Sequence, residues 1–298
     1  ITPGGSRDLI TLLTRGPGAG NAGATRYSLA AQEIKEVARG VAVSDIDTIL
    51  MANHGKEVMA AKGAKRVIAG GFTTQGQLDD ALTNLELRIG RPAYSRAQAA
   101  ANVVKRVYTE ERTRLVAEGF ISADEAKVMA QQYPFYNPIR YAEYAEAEAL
   151  RGRSVKPFSV VRKGVYRLSD VGSTAAARSP LEVLGEQLIR NEVRIVRNQT
   201  ARAIIELAEA SPQLGVKKIT GIRPVAQVQG QVVFRTTTGD IPGTLSYWQD
   251  GTRQICEVPD WIYREAAILN QTLQNPVSSF IGALNGVSRA AFTTFSVP

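Results

Sequence analysis

The amino-acid sequence predicts a mainly α protein of the α+β class: helical hairpins and one long helix, with a small antiparallel β-sheet near residues 216–258. Three observations carry that expectation. Helix-start signals recur, with Thr74 before Gln77, Ser95 before Gln98 and Ser122 before Glu125, each followed by apolar residues three and four apart. Ser179-Pro180-Leu181-Glu182 combines an N-cap, a proline at the first helical position and a capping-box glutamate, and opens a long stretch free of breakers. Beyond Pro212 the apolar period drops to two, and Asp250-Gly251 supplies the turn of a hairpin.

Taken in order, residues 1–25 are rich in Gly, Pro, Ser and Thr, with only Leu9-Ile10-Thr11-Leu12-Leu13 able to pack, and read as an arm or linker. From Ser28 the pattern turns helical, and residues 26–150 form the expected helical domain. Leu29, Ile34 and Val37 mark a short amphipathic piece before Gly40, and Ile46, Ile49, Leu50 and Met51 begin another. The helix after Thr74 carries Leu78, Leu82, Leu85 and Leu87 and stops between Gly90 and Pro92. The helix opened by Ser95 and Gln98 carries Ala97, Ala100, Val104, Val107, Tyr108 and Leu115 near one face and runs to Gly119; a third, after Ser122, ends at Pro134.

Residues 151–178 differ in kind. Arg151, Arg153, Lys156, Arg162, Lys163 and Arg167 face the single acid Asp170, with Phe158, Val160, Val161 and Tyr166 interleaved, so the segment reads as a basic connector. Residues 179–298 then form the long helix, the sheet and C-terminal helices. The long helix should reach about Ala210, roughly 45 Å at about 1.5 Å per residue, with Leu181, Leu184, Leu188, Ile195, Val196 and Leu207 inward. Ala226, Val228 and Val232-Val233-Phe234 suggest strands. Asp260 should cap a final helix whose inner side holds Ile262, Ala266, Ile268 and Leu269.

Composition narrows the chemistry. A chain of 298 residues is near the size at which one core divides, so two lobes are expected, and a hydrophobic share of 44% with 21% charged residues suits a packed interior. A single cysteine, Cys256, excludes an internal disulfide and a cysteine-rich zinc site, and a single histidine, His54, disfavours mechanisms that need paired imidazoles. The net charge of +8 suits contact with nucleic acid or another anionic surface. No run of apolar residues is long enough to span a bilayer, and the first residues do not follow the order of a signal peptide. Ile1 at the start and Phe295-Ser296-Val297-Pro298 at the end read as cuts from something longer.

Several patterns propose chemistry and are weighed against plainer readings. Gly18-Ala19-Gly20-Asn21-Ala22-Gly23 matches a dinucleotide fingerprint, with Asp45 and Asp47 following, but no alternation of strands and helices accompanies it, so a cofactor-binding enzyme is the weakest alternative. His54, between Asn53 and Gly55, reads as a surface or capping residue at a turn or helix end. Glu143, Glu146 and Glu148 read as the wet side of a helix rather than a carboxylate pair. The connector, with Phe158 and Tyr166, suits phosphate contact and base stacking. Arg190, Arg194 and Arg197 form a stripe on the long helix that either binds phosphate or pairs with Glu186 and Glu182, the second being favoured. These nine cations are the candidate nucleic-acid contacts; no catalytic residue, metal site or cofactor is expected.

Three blocks resemble the very large polyvalent proteins of tailed bacteriophages. The first runs from Leu115-Val116-Ala117-Glu118-Gly119-Phe120-Ile121-Ser122 to Tyr133-Pro134-Phe135-Tyr136-Asn137-Pro138-Ile139-Arg140, where Asn137 departs from the family's valine-like residue. The second joins Gly172-Ser173 and Ser179-Pro180-Leu181-Glu182 to Arg197-Asn198-Gln199-Thr200-Ala201. The third is Trp248-Gln249-Asp250-Gly251 with Val258-Pro259-Asp260, then Arg289 and Thr293-Thr294. The resemblance covers about residues 92–298. It implies a non-catalytic structural and packing module of a larger virion-internal or genome-ejected phage protein, located in the particle and, after delivery, in the host cytoplasm. Its implied partners are other domains of the same large chain and other virion proteins. DNA contact through the basic connector is the alternative, and an oligomer is compatible with the sequence.

Overall fold

The computed structural model describes residues 18–62, 72–137, 178–211, 215–218, 226–228, 231–233 and 243–264. The protein is mainly helical with a small antiparallel sheet, as predicted. Six helices are α1 (Ala19–Val37), α2 (Val43–Lys62), α3 (Gln75–Ile89), α4 (Arg91–Ala117), α5 (Ala123–Gln132) and α6 (Pro180–Glu209), and a further helical turn covers residues 260–264. The strands are β1 (Lys217–Lys218), β2 (Ala226–Val228), β3 (Gln231–Val233), β4 (Thr244–Gln249) and β5 (Thr252–Glu257). One sheet has the order β1-β5-β4, entirely antiparallel, with Leu245 opposite Cys256 and Gln249 opposite Thr252; β2 and β3 form a separate two-stranded ladder. Asp250 (φ 49°) and Gly251 (φ 74°) close the β4–β5 hairpin with two left-handed residues, the backbone that an Asp-Gly turn favours. The basic connector, Glu143, Glu146, Glu148, Ala266, Ile268, Leu269 and the closing part of the third block lie outside the described residues.

Two capping boxes form as the sequence predicts. Thr74 and Gln77 exchange their bonds at the start of α3, and Ser122 and Glu125 do so at the start of α5. Ser95 does not start a helix: α4 already begins at Arg91, because Gly90 (φ 77°) turns the chain sharply and Pro92 sits in the first turn, where its missing N–H costs nothing. Asp260 likewise lies inside the last helical turn, whose first bond runs from the Tyr263 N–H to the Pro259 carbonyl at 3.1 Å.

The expected arm gives way to a helix from Ala19. Gly20 and Gly23 are buried in α1, and a Cβ on Gly23 would lie 2.6 Å from the Ile189 Cα of α6. The contact is mirrored, for a Cβ on Gly185 of α6 would lie 3.2 Å from the Tyr27 ring of α1. Composition points to a flexible segment, but close helix packing uses the same residue type. The register of α1 also differs from expectation: Tyr27, Ala30 and Ile34 face inward, and Leu29 is 63% exposed.

Two apolar cores share α6 as a spine. The first gathers Tyr27, Ala30 and Ile34 of α1, Ile46, Ile49 and Leu50 of α2, Leu85 of α3, Ala97 to Tyr108 of α4, and Leu181, Leu184 and Leu188 of α6. The second gathers Leu115, Phe120 and Ile121 with Ile195, Ala201 and Ile205 of α6, then Leu245, Tyr247, Cys256, Val258 and Ile262. Segments on the two sides of the expected 151–178 connector thus pack in common cores, which α4 and α6 both join. Leu207 is half-buried, its expected inward place being taken by Ile205 and Ala208.

Gly23→Ala should lower stability by about 1 to 3 kcal/mol through forced separation of α1 from α6, despite alanine's better helix propensity. Gly76→Ala, where the added Cβ meets nothing nearer than 3.9 Å, should be neutral or stabilising. Urea unfolding of the two variants checks the contrast.

Candidate functional site

Where the two cores meet, α1, α4 and α6 turn polar side chains inward. Arg26 lies 2.5 Å from Glu111, Arg114 lies 2.7 Å from Glu192 and 3.6 Å from Glu111, and Arg26 comes within 3.9 Å of Glu192. The Glu111 side chain is only 3% exposed. Burial works against the Arg114 charge, but its bond to Glu192 and the nearby carboxylates outweigh this and hold its pKa above the ordinary guanidinium value. Next to Glu192 on α6, Asn191 Oδ1 accepts from Gln187 Nε2 and from Arg194 Nη1, each at 3.1 Å. A cavity of about 30 Å³ lies within this layer, with Glu111, Gln187 and Asn191 on its polar side and Leu115, Ile121, Met129 and Tyr136 among its other walls.

Beside the layer, the end of the Tyr133–Asn137 segment is held by α2. His54 is fully buried inside that helix, not at a surface turn as expected; its Nδ1 lies 3.3 Å from Glu57 Oε2, while the other Glu57 oxygen accepts the Phe135 N–H. The imidazole packs against the rings of Tyr133 and Tyr136, with centroids 6.2 and 5.8 Å away, and Lys105 sits 4.2 Å above the Phe135 ring. Burial lowers the pKa of Arg112, offset in part by Tyr136 and Glu57. Asn137, the departure from the resembling family, is 1% exposed, and its side-chain amide makes no hydrogen bond to protein.

One part of each of the three blocks, Glu118–Phe120, Asn198–Gln199 and Trp248–Gly251, meets at one joint. The helix α4 ends with Gly119 at φ 77°, the Phe120 N–H bonding to the Leu115 carbonyl and the Gly119 N–H to Val116, a Schellman ending. Against that ending lies the β4–β5 hairpin: a Cβ on Gly119 would stand 3.0 Å from the Trp248 carbonyl, and the Gly251 N–H donates to the Gly119 carbonyl at 3.0 Å. Asn198, fully buried on α6, binds both. Its Nδ2 donates to the Glu118 carbonyl (2.8 Å) and the Trp248 carbonyl (3.0 Å), and its Oδ1 accepts the Trp248 N–H at 2.7 Å. Gln199 adds a bond to the Glu118 carboxylate at 2.8 Å.

At the other end of α6, Asp47 of α2 lies against the first turn. Burial pushes its pKa up to about 7, while the Ser179 hydroxyl and the Leu181 N–H pull it down and Glu182 pushes it further up. Tyr27 alongside is raised to about 12, by burial first and then by Glu182 and Asp47. Ser179 is the N-cap residue as expected but makes no side-chain cap bond.

The candidate nucleic-acid contacts divide. Arg190 lies 3.6 Å from Glu186, as the ion-pair reading expects; Arg194 donates to Asn191; Arg197 is half-buried, and burial lowers its pKa to about 10. Two members of the stripe, Arg190 and Arg194, therefore have partners within the protein. Arg151, Arg153, Lys156, Arg162, Lys163 and Arg167 lie outside the described residues. Of the glycine fingerprint, Gly20 and Gly23 are inside α1 while the residues before Gly18 lie outside the described ones, and its two candidate acids are used elsewhere: Asp45 pairs with Arg88 at 2.6 Å and Asp47 faces α6. Among the described residues no cluster of three His, Cys, Asp or Glu side chains could hold a metal, and no helix is long and apolar enough to cross a membrane. Comparison with family models, with curated proteins and with solved structures gives no match to this chain.

Sequence reasoning missed Arg26, Glu111, Arg114, Gln187, Asn191 and Glu192. A signal was present: Leu184, Leu188, Asn191, Ile195, Asn198 and Ile205 follow the spacing of one helix face, so two asparagines interrupt an inward stripe. Glu111 interrupts the stripe of Val104, Tyr108 and Leu115 in the same way.

Asn198→Ala should cost at least about 2 kcal/mol, since it strands buried backbone groups of Trp248 and Glu118. Asn198→Asp should not rescue it, because a carboxylate would face two carbonyl oxygens. Urea unfolding, with amide exchange read at Trp248, checks both. For Asp47 the ordinary pKa of 3.8 applies to the unfolded chain and about 7 to the fold, so only the unfolded chain gives up this proton between those values. Wild type should lose stability relative to Asp47→Asn as pH rises from about 4 to about 7, by up to roughly 4 kcal/mol, and no further above that. Parallel denaturation curves at pH 4.5 and pH 8 measure it.

Proposed function

We propose that this chain is a non-catalytic structural and packing module of a larger phage protein, carried inside the virion or ejected with the genome. The observation that carries the reading is the joint at Asn198. The residues that make the chain resemble phage polyvalent proteins, namely Glu118-Gly119, Asn198 and Trp248 to Gly251, are occupied in holding α4, α6 and the hairpin together. Their polar groups face one another across an interior joint and not an open cleft. The polar layer likewise turns Glu111, Glu192 and Asn191 toward side chains of the same protein. On this reading the partners are flanking domains of the same polypeptide and other virion proteins.

A second reading, DNA contact, is favoured by the charge of +8 and by the six cations opposed by one acid in residues 151–170. It now rests on that connector, since Arg190 and Arg194 have internal partners.

Purified, nuclease-treated particles of the encoding phage should contain peptides of this chain joined to flanking sequence, detected by mass spectrometry. Peptides found only in the soluble host fraction would exclude the virion role. For the second reading, duplex DNA should shift at low salt with micromolar protein and lose affinity steeply as salt rises. Unchanged mobility at low salt excludes it.

A further inference from the structure

The helix α5 contributes no buried side chain. Neither apolar core has a buried member between Ala123 and Gln132; Ala126 and Met129 are half-buried, and Val128 is 48% exposed. A helix of 10 residues is marginal by itself in water, so α5 depends on what holds its ends. At the start, the Ser122–Glu125 capping box sits against the hairpin tip, where a Cβ on Gly251 would lie 2.6 Å from Glu125 Oε2 and 2.9 Å from the Ser122 nitrogen. At the far end, the chain runs from Tyr133 into a clip on α2. Glu57 Oε1 accepts the Phe135 N–H there, and the His54 imidazole packs against the Tyr133 and Tyr136 rings. Tyr136 also meets the Tyr108 ring of α4 edge-on, with centroids 6.0 Å apart.

Between these two anchors α5 adjoins the cavity beside the polar layer. Met129 of α5 forms one wall, and Tyr108, Leu115, Ile121 and Tyr136 form others; the space is half-open and its surface almost wholly apolar. A close-packed interface would leave no such space. The far half of α5 therefore rests on a gap and on its end clip, not on a core.

We propose that α5 is a latched flap, which swings away from its far end and opens the cavity to solvent while both cores stay folded, with the Glu57–Phe135 bond as the latch. Opening uncovers Leu115 and Ile121 on the cavity wall. Its cost is confined to the latch, the ring contacts and half-buried Met129, because no side chain of α5 has to leave an interior. Glu57 acts by position: its other oxygen lies 3.3 Å from His54 Nδ1, which steadies the carboxylate beside Phe135. The flap is independent of the phage reading and would stand if that reading fell.

Amide hydrogen exchange of the wild-type chain, followed by mass spectrometry at increasing urea, tests the flap without any variant. Residues 123–136 should exchange through an opening that hardly depends on urea, since it exposes little surface, while residues 184–198 of α6 exchange only with global unfolding. Equal urea dependence of the two segments overturns the proposal. The latch is tested by substitution. Glu57→Ala should speed exchange at residues 123–136 by roughly tenfold or more beyond any change at residues 184–198. Glu57→Gln keeps an oxygen for the Phe135 N–H and should restore the wild-type rate. Wild-type exchange at residues 123–136 in folded Glu57→Ala, or equal acceleration in the two variants, overturns the latch; should Glu57→Ala fail to fold, the wild-type measurement still decides.

Discussion

A single side-chain amide, that of Asn198, binds the outer edge of β4 at Trp248. Among the described residues, the outer side of β4 in the order β1-β5-β4 has no neighbouring strand, and an open strand edge presents backbone groups that any other chain could pair with. Here Asn198 takes both the N–H and the carbonyl of Trp248, as a residue of an adjacent strand would, while its remaining N–H reaches the end of α4. The arrangement imposes conditions on its neighbours. Trp248 and Gln249 can approach α4 only because Gly119 has no Cβ, and the hairpin tip can seat beside Ser122 and Glu125 only because Gly251 has none. The second core, from Phe120 to Ile262, is assembled around that fixed contact.

The polar layer answers a different problem. Along α6 the inward residues repeat with nearly regular spacing, and a regular apolar stripe would tolerate sliding by a turn against α1 and α4. Arg26, Glu111, Arg114 and Glu192 come from all three helices and can pair in only one register. Such buried ionic sets contribute little net stability, since desolvation offsets most of the attraction, and their best-attested use is to specify alignment. The mirrored glycines, Gly23 and Gly185, add a steric counterpart, because each accepts its partner helix at one position only.

Much of this was legible in the sequence where a local rule decides the outcome. Thr74 with Gln77 and Ser122 with Glu125 form the capping boxes they spell, Pro180 starts α6, and Asp250-Gly251 turns the hairpin, because each signal is satisfied within a few residues. Legibility failed where tertiary contact overrode composition. Gly18 to Gly23 looked like a loose arm until Ile189 supplied the surface that glycines pack on; Ser95 lost its capping role to Pro92; His54 was placed outside because its partners, Glu57 excepted, come from a segment about eighty residues away. For the polar layer the signal existed as interruptions in apolar stripes at Glu111, Asn191 and Asn198. Reading them as ordinary helix polarity lost the site.

The chemistry of the joint decides which residue can stand at each of its positions. A position meant for reaction keeps a polar group unspent and reachable, whereas Asn198 has its oxygen and both amide hydrogens committed to backbone. An apolar residue of similar size would pack there equally well but would strand three buried backbone groups, so the requirement at this position is for directed hydrogen bonds and not for volume. Gly119 and Gly251 are required for absent volume and for positive φ. The helix-ending glycine, the doubly bonded amide and the Asp-Gly turn are thus each fixed by the geometry of the joint between α4, α6 and the hairpin.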